Sequence, residues 1–256
     1  MENIPFMVFF PCLLLIFALI FEYSGIDIWW VSHFYDPGNN IWPYREHWLF
    51  DHIIHSGGQL LDWSFAAIWL LFFLLINIRK DLRIYRKIAL YFFVATAAGP
   101  LLVGIGKKFT HIYSPWDLQL FNGPEPYIRM LDAVPANAPK GHAFPAGHAS
   151  GGYCFLSIYF VLLRYRSAYR GYGLIFGLVL GLIFGLGQQI RGAHFPSHDM
   201  ITVLICWYAS LACYLLFYPE EWQFLKTERI LLPGKGDKTM NLSQKKLYYI
   251  SWVNTI

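Results

Sequence analysis

Residues 171–218 read GYGLIFGLVLGLIFGLGQQIRGAHFPSHDMITVLICWYASLACYLLFY, two long apolar runs, Gly171–Gly187 and Asp199–Tyr218, on either side of a short polar segment at 188–198. A bilayer core about 30 Å thick takes roughly 20 helical residues, with about 17 as the lower end. Both runs have that length, so they predict two membrane-spanning helices whose connecting segment stays at one face. The rest of the chain has the same character. Of its 256 residues 56% are hydrophobic, 19% aromatic and 14% charged, against about 25% charged in an ordinary soluble domain. A soluble domain is excluded, and so is disorder, because a chain this apolar cannot stay solvated.

Working outward, four further runs qualify as spans: Pro5–Phe21, Trp63–Ile78, Ile88–Gly106 and Ala149–Leu163. The first lies where a signal peptide would, but it lacks a basic n-region and a small-residue cleavage site and reads as a helix. Lysine and arginine set the orientation, since they concentrate in cytoplasmic connections. Fourteen of the 20 fall between spans two and three, between four and five, and in the tail; ten of the 16 acids fall on the opposite side. The expectation is an all-α integral membrane protein, six transmembrane helices in a bundle with both termini cytoplasmic. Residues 1–218 form the membrane domain and 219–256 a cytoplasmic tail carrying Trp222 and Tyr248. The exterior segments are then 22–62, 107–148 and 188–198, and all nine histidines lie in or beside them.

Histidine is the side chain best suited to proton and phosphoryl chemistry near neutral pH, and three exterior clusters contain it or flank it. The first runs from Lys107-Lys108 through Ser114-Pro115-Trp116-Asp117; the second is Phe144-Pro145-Ala146-Gly147-His148; the third is Gln188-Gln189-Ile190-Arg191-Gly192-Ala193-His194-Phe195-Pro196-Ser197-His198. A helix opening at Ala146-Gly147-His148 presents free backbone N–H groups and the positive end of a helix dipole, which suits an anion. Lys107 and Arg191 add cations for phosphoryl oxygens, and the two histidines, His148 and His194, supply between them a nucleophile and a general acid. These are the parts of a phosphoryl-transfer site that needs no metal. The spacing of His194 and His198 matches a helical zinc pair, but Pro196 interrupts a continuous helix and no Glu follows the first histidine. Lys108 and Lys140 read as interfacial anchors. His33, His47, His52 and His55 read as surface or interfacial residues of the first exterior segment. Cys12, Cys154, Cys206 and Cys213 lie in apolar runs without ligand spacing and read as small core residues.

At the three clusters the chain resembles the membrane branch of the type 2 phosphatidic acid phosphatase family, which shares its core with vanadium haloperoxidases. The family pattern is Lys, six residues, Arg-Pro; then Pro-Ser-Gly-His; then Ser-Arg, five residues, His, three residues, Asp. The resemblance implies that Lys107 and the backbone at Gly147 and Ala146 bind phosphate, that His194 is the nucleophile forming a phosphohistidine, and that His148 protonates the leaving group. It implies no cofactor. The place of these groups within a turn of the membrane boundary, beside Tyr113, Trp116 and Phe144, points to a lipid phosphate as substrate, and the charge sorting puts it at the exterior or periplasmic face of a cell (inner) membrane. The bilayer, not nucleic acid, is the partner.

The chain departs from the pattern at defined positions. Ser114 replaces the first motif's arginine, Ala146 the serine of the second, Gly187 and Gln188 the Ser-Arg of the third, and His198 the final aspartate. Arg191, three residues after Gln188, is placed to restore one guanidinium, because positions i and i+3 share a helix face. Asp199 or Asp117 is expected to supply the missing carboxylate; otherwise His198 orients His194 alone. Two other classes compete: a non-catalytic phospholipid-binding relative, suggested by the lost arginines and aspartate, and a transporter, which would carry ionisable residues inside its spans. The spans hold almost none.

Overall fold

The computed structural model describes residues 4–9 and 11–220, with no strand among them. The chain divides into two units, Met1–Phe217 and Tyr218–Ile256. In the second, description stops at Glu220, so Trp222, Tyr248 and most of the expected tail lie outside the described residues.

The first unit is built from α1 (Ile4–Phe9), α2 (Cys12–Tyr23), α3 (Ile26–Ser32), α4 (Gly57–Ile78), α5 (Arg86–Lys107), α6 (Gly147–Tyr153), α7 (Ser157–Tyr165), α8 (Arg170–Ile190) and α9 (Pro196–Phe217). Among the described residues three helical stretches are long and apolar enough to cross a membrane: Lys80–Lys107, Ser167–Ile190 and Pro196–Phe217. They contain α5, α8 and α9 and coincide with the third, fifth and sixth expected runs. A fourth crossing is made only if Met7–Tyr23 and Ile26–Ser32 count as one span, and that pair is bent by 68°. Within α4 the apolar stretch Ser64–Ile78 is shorter than a full crossing.

The expected run Ala149–Leu163 is not one helix. It breaks into α6, a 3-10 turn at Cys154–Leu156, and α7. Gly151 and Gly152 weaken helix propagation there, and side chains compete for main-chain carbonyls: the Ser150 hydroxyl donates to Gly147 O at 2.5 Å and the Cys154 thiol to Gly151 O at 2.9 Å.

Outward faces are apolar. Leu101, Leu102 and Ile105 on α5, and Ile175, Phe176, Val179, Leu182 and Ile183 on α8, are exposed. A contiguous surface of this kind is costly in water and suits acyl chains. The inward face of α8 carries glycine at every fourth residue: Gly173, Gly177, Gly181 and Gly185. A Cβ on Gly177 would stand 2.7 Å from Leu156 N, one on Gly173 2.8 Å from Tyr159 N, and one on Gly181 inside the Tyr153 ring. The backbones of α6 and α7 therefore rest directly on α8, as small-residue interfaces allow. On α3, Asp27 Oδ1 accepts the Ser197 N–H at 3.1 Å and so caps the first turn of α9. These contacts bring the ends of α5, α6, α8 and α9 together.

Candidate active site

Lys107 is the last residue of α5, and its Nζ lies 3.1 Å from where a Cβ on Gly147 would stand. Glycine at 147 thus leaves room for an ammonium beside the opening turn of α6. Ala146, buried and extended, is the residue before that turn, and its carbonyl accepts the Thr202 hydroxyl of α9 at 3.2 Å. His148 follows on the same turn, half-buried.

His194 sits between α8 and α9 and is 4% exposed; His198, on the first turn of α9, is fully buried. Their ring centroids are 5.8 Å apart. Phe144 and Phe195 pack edge-on against His198 at 5.2 and 5.3 Å. Gly192, at φ +79°, makes the turn that carries the chain from α8 to His194, and its carbonyl accepts the Trp116 N–H at 3.0 Å. That bond ties the first cluster to the third. His194 Nδ1 and both ring nitrogens of His198 have no hydrogen-bond partner among the described residues, and such buried polar atoms call for an explanation, a bound group among them.

Burial holds the His194 imidazole well below its ordinary value, reinforced by the charge of Lys107 and by His198 and His148, with the Ala143 carbonyl acting in the opposite direction. The resident form is neutral, as a nucleophile requires. Among the described residues no carboxylate is one of the groups that act on it.

Asp199 and Asp117, the carboxylates expected beside His194, are engaged elsewhere. Asp199 on α9 accepts a hydrogen bond from Gln189 Nε2 and lies against Gly185 of α8. Asp117 is half-buried in the 3-10 turn Pro115–Asp117, where burial raises its carboxyl and Arg45 stacks nearby over Trp116 at 4.4 Å. Ser114 is buried at the entrance to that turn, its carbonyl accepting the Asp117 N–H at 2.9 Å.

Arg191 follows the last residue of α8. Its Nε donates to the Arg45 carbonyl at 2.8 Å, its Nη1 to Gln188 Oε1 at 3.3 Å and its Nη2 to Asp51 Oδ1 at 2.6 Å. The shared face of Gln188 and Arg191 is thus realised, and Gln188 itself is 2% exposed.

Two residues at the site were not singled out from sequence. Asp51 holds Arg191, and His55 places its ring centroid 4.1 Å from that of His148; the reading of His55 as a surface or interfacial residue is corrected. The only sequence signal was the i, i+4 spacing of Asp51 and His55, realised as a 3.6 Å Nδ1–Oδ1 contact. Nothing in sequence linked that pair to residues some hundred positions later.

The model of the PAP2 superfamily matches residues 88–222, just over half of the chain. No curated protein and no solved structure matches it. The matched stretch runs from the first turn of α5 past the end of α9 and includes Lys107, His148, Arg191, His194 and His198, so the chain belongs to the PAP2 superfamily, whose members are phosphatases and phosphoesterases.

Proposed function

We propose that this protein is an integral-membrane phosphatase that hydrolyses a lipid phosphate, or transfers its phosphoryl group, at the exterior face of the inner membrane through a phosphohistidine. The observation that carries the reading is a buried, neutral His194 beside the charge of Lys107 and the imidazole of His148, three side chains drawn from separate segments.

The phosphoryl group docks against Lys107, Arg191 and the N–H groups near Gly147. A ring nitrogen of His194 attacks phosphorus in line, and the bond from phosphorus to the lipid oxygen breaks. Burial and the charges of His55, Lys107 and Arg191 hold His148 down to about 3, so it takes up a proton from water only as the phosphoryl dianion binds, and it then delivers that proton to the lipid oxygen. Water then attacks the phosphohistidine, returns a proton to His148 and releases phosphate; an acceptor hydroxyl in place of water makes the same step a transfer. Each positioned cation or N–H donor of this kind is worth roughly 10²–10³ in rate. A lipid substrate is supported by the helix-end location of these groups beside Tyr113, Trp116 and Phe144, residue types that favour the membrane interface. The exterior side rests on the distribution of lysine and arginine, and the six-span count on the apolar runs of the sequence.

A phosphate-release screen over phosphatidate, phosphatidylglycerol phosphate, isoprenyl diphosphate and lipid A, using detergent-purified protein, tests the reading. Release from at least one lipid, abolished in His194→Ala, is expected. Lipid binding without release would instead identify a non-catalytic phospholipid-binding protein, the reading favoured by the lack of a carboxylate acting on His194.

A further inference from the structure

The guanidinium of Arg191 is anchored from outside the stretch that the family model matches. Residues Leu49–Ser56 form a π-helical turn leading into α4. From it Asp51 Oδ1 reaches Arg191 Nη2 at 2.6 Å and His55 Nδ1 at 3.6 Å, and the His55 ring lies against that of His148. One carboxylate therefore faces a cation of the third cluster and, through His55, the histidine of the second. The Arg191 side chain is 9% exposed and that of Asp51 26%, so water screens the pair weakly.

A purely architectural ion pair would lie away from the chemistry, but the charge of Arg191 acts on both His55 and His148. A guanidinium has five N–H donors. Among the described residues the Arg45 carbonyl, Gln188 and Asp51 engage one on each nitrogen, which leaves one on Nη1 and one on Nη2 for another acceptor. The family's arginines are expected at positions 114 and 188, where this chain has Ser114 and Gln188. A guanidinium that enters three residues later needs its own support.

We propose that Asp51 is a positioning residue of the phosphate site, which orients Arg191 so that its remaining N–H groups meet phosphoryl oxygens and backs His148 through His55. This inference rests on the phosphatase reading above. It predicts that Asp51 acts through Arg191 on phosphate binding and not only on folding.

The test is steady-state kinetics of wild type, Asp51→Asn, Arg191→Gln and the double variant, with inorganic phosphate as competitive inhibitor. Each single substitution should raise KM and the phosphate inhibition constant by about 10- to 100-fold with a smaller change in kcat, and the double should be no worse than Arg191→Gln alone. Asp51→Glu should recover part of the loss. Asp51→Asn with wild-type KM and inhibition constant, or losses that multiply in the double, would overturn the proposal. If Asp51→Asn does not fold, Asp51→Ser takes its place in the same comparison.

Should wild type release phosphate from no lipid, the phosphatase reading fails on its own, and protection against thermal unfolding by inorganic phosphate decides the inference. Protection of wild type that weakens in Asp51→Asn supports it. Equal protection in both, or none in wild type, overturns it.

Discussion

His194 is surrounded by groups that disfavour its charge: burial first, then the charge of Lys107, His198 and His148. The unprotonated, attacking form is therefore resident below the ordinary imidazole pKa of about 6.5. On the proposed mechanism, kcat/KM should not fall as pH drops through 6.5, because His194 stays neutral there while His148 must gain a proton; an acid limb at or above 6.5 in the free enzyme would contradict a neutral, buried nucleophile. The same shift sets a stability slope. The unfolded chain takes up a proton on this histidine near pH 6.5 while the folded chain does not. Stability is thus full above that pH and declines as pH falls toward the folded value, by up to about 1.4 kcal/mol per unit. Thermal unfolding of wild type and His194→Gln between pH 7 and pH 5 should show a shallower loss in the variant. Arg191→Lys keeps the charge but loses the planar fork, and should lower kcat/KM by about tenfold or more; full activity would exclude a bidentate role. That Lys107, His148 and His194 come together was legible in sequence from the order and spacing of the three clusters. Asp51 and His55 were not, because their partners are set by how the turn before α4 folds onto the end of α8.

At the scale of elements, the glycine face of α8 fixes where α6 presents His148. Replacing Gly177 by leucine should separate the helices and cost about 1–3 kcal/mol or more through overpacking. Gly171 is on the same helix, but a Cβ there meets nothing within 4 Å. Gly171→Leu should therefore unfold at nearly the wild-type temperature in detergent while Gly177→Leu falls well below it; equal behaviour would mean that the close approach does not hold the bundle. Helix identity along α5, α8 and α9 was legible from length and apolarity alone. The break after Tyr153 was not, because hydropathy is blind to the local bonds of Ser150 and Cys154 that end α6. Helix α3, which follows the expected run Pro5–Phe21 across a 68° bend, was likewise invisible to run length.

For the whole molecule, an apolar composition and a lopsided charge distribution predict which ends of the helices face out. With Cys12 replaced by serine, the remaining cysteines are buried. Leu131→Cys, 73% exposed in the segment after α5, should react with a membrane-impermeant thiol reagent in intact cells; Ile84→Cys, 81% exposed in the basic connection before α5, should react only after permeabilisation. The reverse pattern would turn the site toward the cytoplasm. The central claim is that phosphate passes through His194, and rapid quenching during turnover of a ³²P-labelled lipid phosphate tests it most directly. The account predicts an acid-labile, alkali-stable label on wild-type protein that is absent, together with turnover, in His194→Ala. Turnover in His194→Ala, or turnover of wild type with no protein-bound label at any quench time, would contradict it.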